Sequence, residues 1–341
     1  MAMSRVTLLA TTVPGLEFIV AEEVGEICEG ANATFLPLTG RVFLQVEETC
    51  TPRIMSSSRS IEGVKLIIGE AHDKDELIKK LLGFLESLGV EGLRFAVNAE
   101  RVTKEAPFTS LDLAREVGER VREALHLEVS IDFPDVPIYV EYEKGVYRFG
   151  LDLSYFRGLR DRPYRVFVHP SALNPIIAYS MCRLARPLKT LLDPFCGSGT
   201  IPLECLQTFA AEAYCCDVNP RYLMGAADNA RAIASYQRLH LVLADVRRSP
   251  LTCCVDAVIT NPPFGIREKP VGPLPQVYIG LFATAQRLLG EGGKVIVLTA
   301  SSRLAEHAAS KAGFEEVRKV PIVEGGLRSY ILVFQRALGK S

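Results

Sequence analysis

The sequence predicts an α/β protein: a doubly wound parallel sheet in the second half of the chain, preceded by a smaller α+β region. Three observations carry this. From about residue 169, apolar runs at 189–193, 213–217, 239–243, 255–260 and 293–299 alternate with helical segments, the pattern of parallel strands joined by crossover helices. A glycine-rich turn, Asp193-Pro-Phe-Cys-Gly-Ser-Gly-Thr200, follows the first of these strands. In the front half, short alternating strands and capped amphipathic helices recur without any parallel-sheet run.

The elements follow in order. Residues 6–12 read as a strand, Pro14-Gly15 turns the chain, and Leu16, Ile19, Val20, Val24 and Ile27 fall at helical spacing until Gly30. Strands at 34–36 and 41–46 complete a β-α-β-β unit, half of a ferredoxin-like fold. A second unit begins near residue 61. Asp73-x-x-Glu76 is a capping box ahead of Leu77, Leu81, Leu85 and Leu88, and residues 93–97 form a strand. Thr109-x-x-Asp112 caps a helix with Leu113, Val117, Val121 and Leu125 on one face, and strands at 129–133 and 138–142 follow. Residues 144–168 read as a connector in which six basic and two acidic residues are interleaved with aromatics. At the end, 314–320 and 329–335 make an antiparallel pair around Gly325-Gly326. The domains expected are therefore 1–60, 61–153, a linker over 154–168, and 169–341.

Bulk composition narrows the class. The 341 residues are 48% hydrophobic and 23% charged, ordinary for a globular protein. No apolar run approaches the roughly 20 residues a membrane span needs, and the first residues lack a signal peptide's apolar core, so a cytoplasmic protein is expected. With a net charge of −1, any nucleic-acid partner must be met by a local patch. Nine cysteines include no Cys-x-x-Cys spacing. The adjacent pairs Cys215-Cys216 and Cys253-Cys254 read as small buried hydrophobes in strands, whose opposite faces make poor metal sites. Disulfides are the alternative a thermophile would allow. No metal is expected.

The chemistry concentrates at strand ends. Gly197 and Gly199 let the backbone pass close to a ligand, with Phe195 and Ser198 beside them, and Thr200 opens a helix whose free N–H groups face the same cleft. The position a dinucleotide fold would give to a third glycine is Pro202, so nicotinamide binding is disfavoured. Asp193 suits a cationic ligand. Asp217 ends the second strand, ahead of Val218 and Asn219, where a carboxylate meets ribose hydroxyls. Asp245, followed by Val246, ends the third strand and reaches an adenine amine. Asn219-Pro220 also reads simply as a helix cap.

The fourth strand runs into Asn261-Pro-Pro-Phe264. An aryl amine is a poor nucleophile because its lone pair is delocalised into the ring. The Asn261 side-chain oxygen and the Pro262 carbonyl can accept both amine hydrogens, leaving the lone pair aimed at a methyl donor. Pro262 and Pro263 stiffen the backbone, and Phe264 offers a stacking face. The gain is orientation and stabilisation of positive charge on nitrogen. These residues imply transfer from S-adenosylmethionine to a planar amine, reached by flipping the base out of its stack.

Here the chain resembles the class I methyltransferases that modify exocyclic amines through (Asn/Asp)-Pro-Pro-(Tyr/Phe). Phe95-Ala-Val-Asn98, the run from Pro107 to Gly118 and Asp135-Val-Pro-Ile-Tyr-Val140 resemble a THUMP domain. Gly150-Leu-Asp-Leu-Ser154, Arg162-Pro-Tyr-Arg165 and His169-Pro-Ser-Ala-Leu-Asn-Pro175 resemble the lead-in to a Rossmann-like methyltransferase domain. The whole is similar to the THUMP-containing tRNA (guanine-N2) methyltransferases. That resemblance implies an N-terminal ferredoxin-like domain, a tRNA partner gripped by shape and phosphate contacts, and methylation of a guanosine at position 6 of the acceptor stem. A sister branch acting at position 10 carries Asp-Pro-Pro-Tyr and Gly-Thr-Gly-Gly, from which this chain departs at Ser198, Thr200, Asn261 and Phe264. The resemblance also brings Ser171 and Asn174 to the cofactor pocket, and an RNA surface to Arg94, Asn98, Phe108, Thr109 and Ser110, which Arg160, Arg162 and Arg165 could extend. A monomer is expected. The same chemistry at tRNA position 10, adenine-N6 or glutamine-amide methylation, and a tRNA-binding protein with a vestigial methyltransferase fold are the competing readings.

Overall fold

The computed structural model describes residues 4–103, 105–169, 171–263 and 272–337. They form two compact units, the second of which takes in residues 12–20 and 36–40 as well as everything from 160 onward.

The first unit is built on an eight-stranded sheet. Its strands are β1 (Arg5–Thr11), β2 (Asn32–Phe35), β3 (Arg41–Glu47), β4 (Gly63–Ala71), β5 (Arg94–Arg101), β6 (Glu128–Val129), β7 (Val136–Glu143) and β8 (Val146–Asp152), in the order β2-β3-β1-β4-β8-β7-β5-β6. The helices are α1 (Glu17–Ile27), of which residues 21–27 belong to this unit, α2 (Thr51–Ser57), α3 (Lys74–Ser87) and α4 (Ser110–Leu125). Sequence reasoning placed neither β4 nor β8. β8 falls inside the basic, aromatic stretch read as a connector, yet its alternate residues Tyr147 and Phe149 are buried in the core with Phe95, Leu113 and Ile138. Both predicted caps form. Asp73 accepts from the Glu76 N–H, and Thr109 and Asp112 make a reciprocal capping box.

The second unit carries a seven-stranded sheet. Its parallel strands are β9 (Thr190–Asp193), β10 (Glu212–Asp217), β11 (Leu239–Leu243), β12 (Val255–Thr260) and β13 (Leu289–Thr299). β14 (Phe314–Glu324) and β15 (Leu327–Arg336) form an antiparallel hairpin, and the order is β11-β10-β9-β12-β13-β15-β14. α5 (Pro175–Ala185), α6 (Thr200–Thr208) and α7 (Pro220–Ala232) cover one face, and α8 (Leu274–Leu288) and α9 (Ser302–Lys311) the other. Strand alternation feeds both cores: Leu191, Cys215 and Ile296 point to the first, Leu192, Cys216 and Val297 to the second. Val13, Leu16 and Ile19 join the first core, and Gly40 and Gly15 N–H groups close on the buried Glu17 carboxylate.

The cysteines need correction. Cys215 and Cys216 are buried as read, but Cys253 and Cys254 precede β12 and Cys254 is exposed. Two disulfides, Cys28–Cys50 and Cys182–Cys205, join residues that no sequence spacing singled out. Among the described residues no helix is long and apolar enough to cross a membrane, and no group of three or more His, Cys, Asp or Glu could hold a metal ion.

Candidate cofactor and amine site

The C-terminal ends of β9 to β13 lie along one edge of the sheet. Because β14 runs antiparallel to β15, and β15 antiparallel to β13, the tip of the hairpin comes to the same edge. A cavity of about 610 Å³ opens there, entirely within the second unit. This is where ligands bind in open α/β sheets, in the crevice beyond the carboxyl ends of the strands.

The glycine turn forms its floor. Gly197 and Gly199 have φ of 52° and 82°, a left-handed conformation that side chains resist. A Cβ on Gly197 would meet no atom within 4 Å, so this backbone borders open space. Gly199 itself is withdrawn from the cavity wall and caps α6, its place set by the close approach of Ala226.

The carboxylates hold the turn in shape. Asp217 accepts N–H bonds from Gly197 at 3.0 Å and Asn219 at 2.8 Å, so the tip of β10 braces the turn after β9. Burial raises its pKa, against those hydrogen bonds and the nearby His169. Asp193 is 1% exposed and accepts from the Thr260 hydroxyl at 2.6 Å and the Phe195 N–H at 3.1 Å. Burial pushes it up to about 7, and the charge of Asp217 adds to this. Thr260 thereby ties the cofactor turn to the strand that ends in Asn261.

Asn261, Pro262 and Pro263 line the same cavity. The Asn261 Oδ1 is buried and accepts no hydrogen bond among the described residues. A buried acceptor left so costs on the order of 1–3 kcal/mol, which a donor from a ligand would offset. Phe264 lies outside the described residues.

The structure brings together Ser171, Asp193, Phe195, Gly197, Ser198, Thr200, Asp217, Val218, Asn219, Asp245 and Val246 as cavity wall. It separates others. Asn174 does not reach the cavity, because its Oδ1 caps α5 by accepting from the Ile176 N–H. Asn219 lines it but spends its side chain capping α7. Asp245 is at the rim, with both carboxylate oxygens engaged by Arg247. Sequence reasoning missed Thr260, Tyr222, whose ring meets His169 edge-on at 4.0 Å, and the hairpin residues Glu324, Leu327 and Ser329. Only Thr260 carried a signal, by preceding Asn261.

Of the expected RNA-facing residues, Arg162 is corrected. Its side chain is 5% exposed and ion-paired with the buried Glu204 at 2.8 Å, so its charge is turned into the fold. Arg160 is exposed and Arg165 half-buried. Arg94 is exposed but forked onto Asp135, and Asn98 donates to Asp152 at 2.8 Å. Phe108 packs edge-on to Tyr142 with the Lys74 ammonium over its ring. Thr109 and Ser110 open α4, where Asp112 already takes the Thr109 N–H.

Sheet order, glycine turn and the Asn-Pro-Pro corner together define a Rossmann-like methyltransferase domain, here following a THUMP region. Residues 162–330 match the RMKL-like methyltransferase domain, and residues 71–152 match the THUMP domain. A tRNA (guanine(6)-N2)-methyltransferase of Archaeoglobus fulgidus is 30% identical, over 96% of this chain and 92% of its own length. One of Thermus thermophilus is also 30% identical, over 96% of this chain and 99% of its own. The crystal structure of TrmN from Thermus thermophilus superposes with a TM-score of 0.82 at 28% identity, covering 98% of this chain and all of that one. The chain belongs to the THUMP-containing tRNA (guanine-N2)-methyltransferase family.

Proposed function

We propose that this enzyme transfers a methyl group from S-adenosylmethionine to the exocyclic N2 amine of a guanosine in tRNA, at position 6 of the acceptor stem. The observation that carries the chemistry is the buried Asn261 Oδ1 awaiting a donor. The names of the relatives support the base and the address.

The residues present fit the cofactor: an open glycine backbone at Gly197, Asp217 at the second strand tip, and the buried Asp193 behind them. When bound, S-adenosylmethionine supplies the electrophilic methyl. Asp217 keeps a lone pair on each oxygen for the ribose hydroxyls, beyond the N–H groups it already accepts. Asn261 Oδ1 and the Pro262 carbonyl accept the two amine hydrogens, which turns the nitrogen lone pair toward the methyl and stabilises the charge that develops there. Such a pocket admits only a base swung out of its stem. The THUMP surface around Arg94, Asn98, Phe108, Thr109 and Ser110, with Arg160 and Arg165, would position the tRNA through its shape and phosphates. We take the working form to be a metal-free monomer in the cytoplasm, with domains at 1–60, 61–153 and 169–341 joined through 154–168.

Unmodified tRNA transcripts incubated with the enzyme and labelled S-adenosylmethionine, then digested and analysed by mass spectrometry, test this reading. N2-methylguanosine in the acceptor-stem fragment is expected. N2-methylguanosine at position 10 would move the address, methylated adenosine would overturn the base, and tRNA binding without transfer would overturn the activity.

A further inference from the structure

The cofactor turns and Asn261 account for only part of the cavity. Four carboxylates among the described residues line it: Asp193, Asp217, Asp245 and Glu324. The first three sit at or just past the ends of β9, β10 and β11, beside the glycine turn. Glu324 is elsewhere. It is the last residue of β14, half-buried, paired in register with Leu327 across the Gly325-Gly326 turn.

Order along the sheet edge gives this position its meaning. β12, which delivers Asn261, lies between the cofactor strands on one side and β13, β15 and β14 on the other. With the base's amine held at Asn261 and the methyl donor on the β9 side, the hairpin side of the cavity is left for the ring. Val277, Leu298 and Ile322 give that end of the cavity apolar walls suited to a ring. The edge of guanine that carries N2 also carries N1–H, a second donor next to the amine, and a carboxylate is the acceptor that matches it.

We propose that Glu324 is the residue that selects guanine, its carboxylate accepting N1–H while Asn261 and Pro262 hold N2. The proposal rests on the guanine-N2 reading above and adds the source of base specificity. A purine with an unprotonated N1 places a lone pair against the carboxylate and leaves an acceptor unmatched. Sites built to bond a substrate N–H reject analogues lacking it strongly.

The test uses tRNA carrying either guanosine or 2-aminopurine riboside at the methylated position. Both have the exocyclic amine, and only guanine has N1–H. Wild type is expected to prefer guanine by at least about 100-fold in kcat/KM. Glu324→Gln keeps an acceptor oxygen and adds an N–H that can donate to an unprotonated N1, so 2-aminopurine activity should rise and the preference for guanine should collapse toward unity. S-adenosylmethionine affinity should be unchanged. A Glu324→Gln enzyme that keeps the wild-type preference overturns the proposal. So does a wild-type enzyme that methylates 2-aminopurine as readily as guanine, a result that needs no variant to fold. If wild type methylates no guanosine at N2, the underlying function is what has failed, and the unsubstituted tRNA alone shows it.

Discussion

At the residue scale, the proposed function divides the site into groups that would hold the cofactor and groups that would hold the amine, and single substitutions separate them. Asn261→Ala removes an acceptor that matters only when the amine is in place. Methyl transfer should fall roughly 100-fold or more, with S-adenosylmethionine and tRNA dissociation constants near wild type by calorimetry and filter binding. Asp217→Ala should raise the cofactor dissociation constant about 10- to 100-fold, since it removes the brace on Gly197 and the charge-assisted hydrogen bonds proposed to the ribose. Asp193 gives a pH dependence with a definite sign. Burial raises it from 3.8 to about 7, so below pH 7 the folded protein holds a proton that the unfolded chain releases near pH 4. Stability therefore declines as pH rises through that window and levels off above 7. A cationic ligand favours the ionised form, so affinity for S-adenosylmethionine should strengthen as pH rises to about 7 and then level off. The limit is tenfold per pH unit. Calorimetry from pH 5.5 to 8.5 checks this, and Asp193→Asn should flatten the curve. These residues were legible in the sequence because each closes or directly follows an apolar run between helical segments. Glu324 and Tyr222 were not, because only the sheet order and the course of α7 bring them to the cavity.

At the element scale, α7 locks the glycine turn. Asn229 accepts the Phe167 N–H at 2.8 Å and donates both to the Phe167 carbonyl and to the Ser198 carbonyl, each at 2.9 Å. One turn earlier, a Cβ on Gly225 would come within 2.1 Å of the Phe167 ring. Gly225→Ala should displace Phe167, cost about 1–3 kcal/mol, and weaken cofactor binding through the loosened Ser198 carbonyl. Thermal melts with and without S-adenosylmethionine would show both effects. The Cys182–Cys205 disulfide ties α5 to α6 across 23 residues of chain. A loop of that length is worth about 3 kcal/mol, so Cys205→Ala should lower the melting temperature while Asp217 and its ligands stay in place. The parallel strands and capped helices could be read from the sequence, since buried strands are continuous apolar runs and the caps use fixed spacings. β8 could not. Its alternation of basic and aromatic residues describes a strand with one wet face equally well as a solvated linker, and only its partners β4 and β7 decide.

At the scale of the whole molecule, the sequence order of domains and the compact units differ. Residues 12–20 and 36–40 belong to the unit otherwise made of residues from 160 onward. Val13, Leu16 and Ile19 lie in its core beside Ile176 and Ile322, and the Pro14 carbonyl accepts the Val323 N–H at 3.0 Å. A fragment of residues 169–341 leaves that surface bare. At about 1.5–3 kcal/mol for each buried side chain, the loss is comparable to the whole stability of an ordinary domain. The fragment should bind apolar dyes and melt well below the intact chain. No periodicity in residues 12–20 could have announced this, because an apolar helix face specifies burial without naming its partner. The same arrangement sets a schedule for biosynthesis. Leu16 leaves the ribosome about 300 positions ahead of Ile322, which at 5–20 residues per second is roughly 15–60 seconds of translation. Through that interval the front segment is a newborn surface without its mate. The second unit can close only once Ile322 and the hairpin around it have been made.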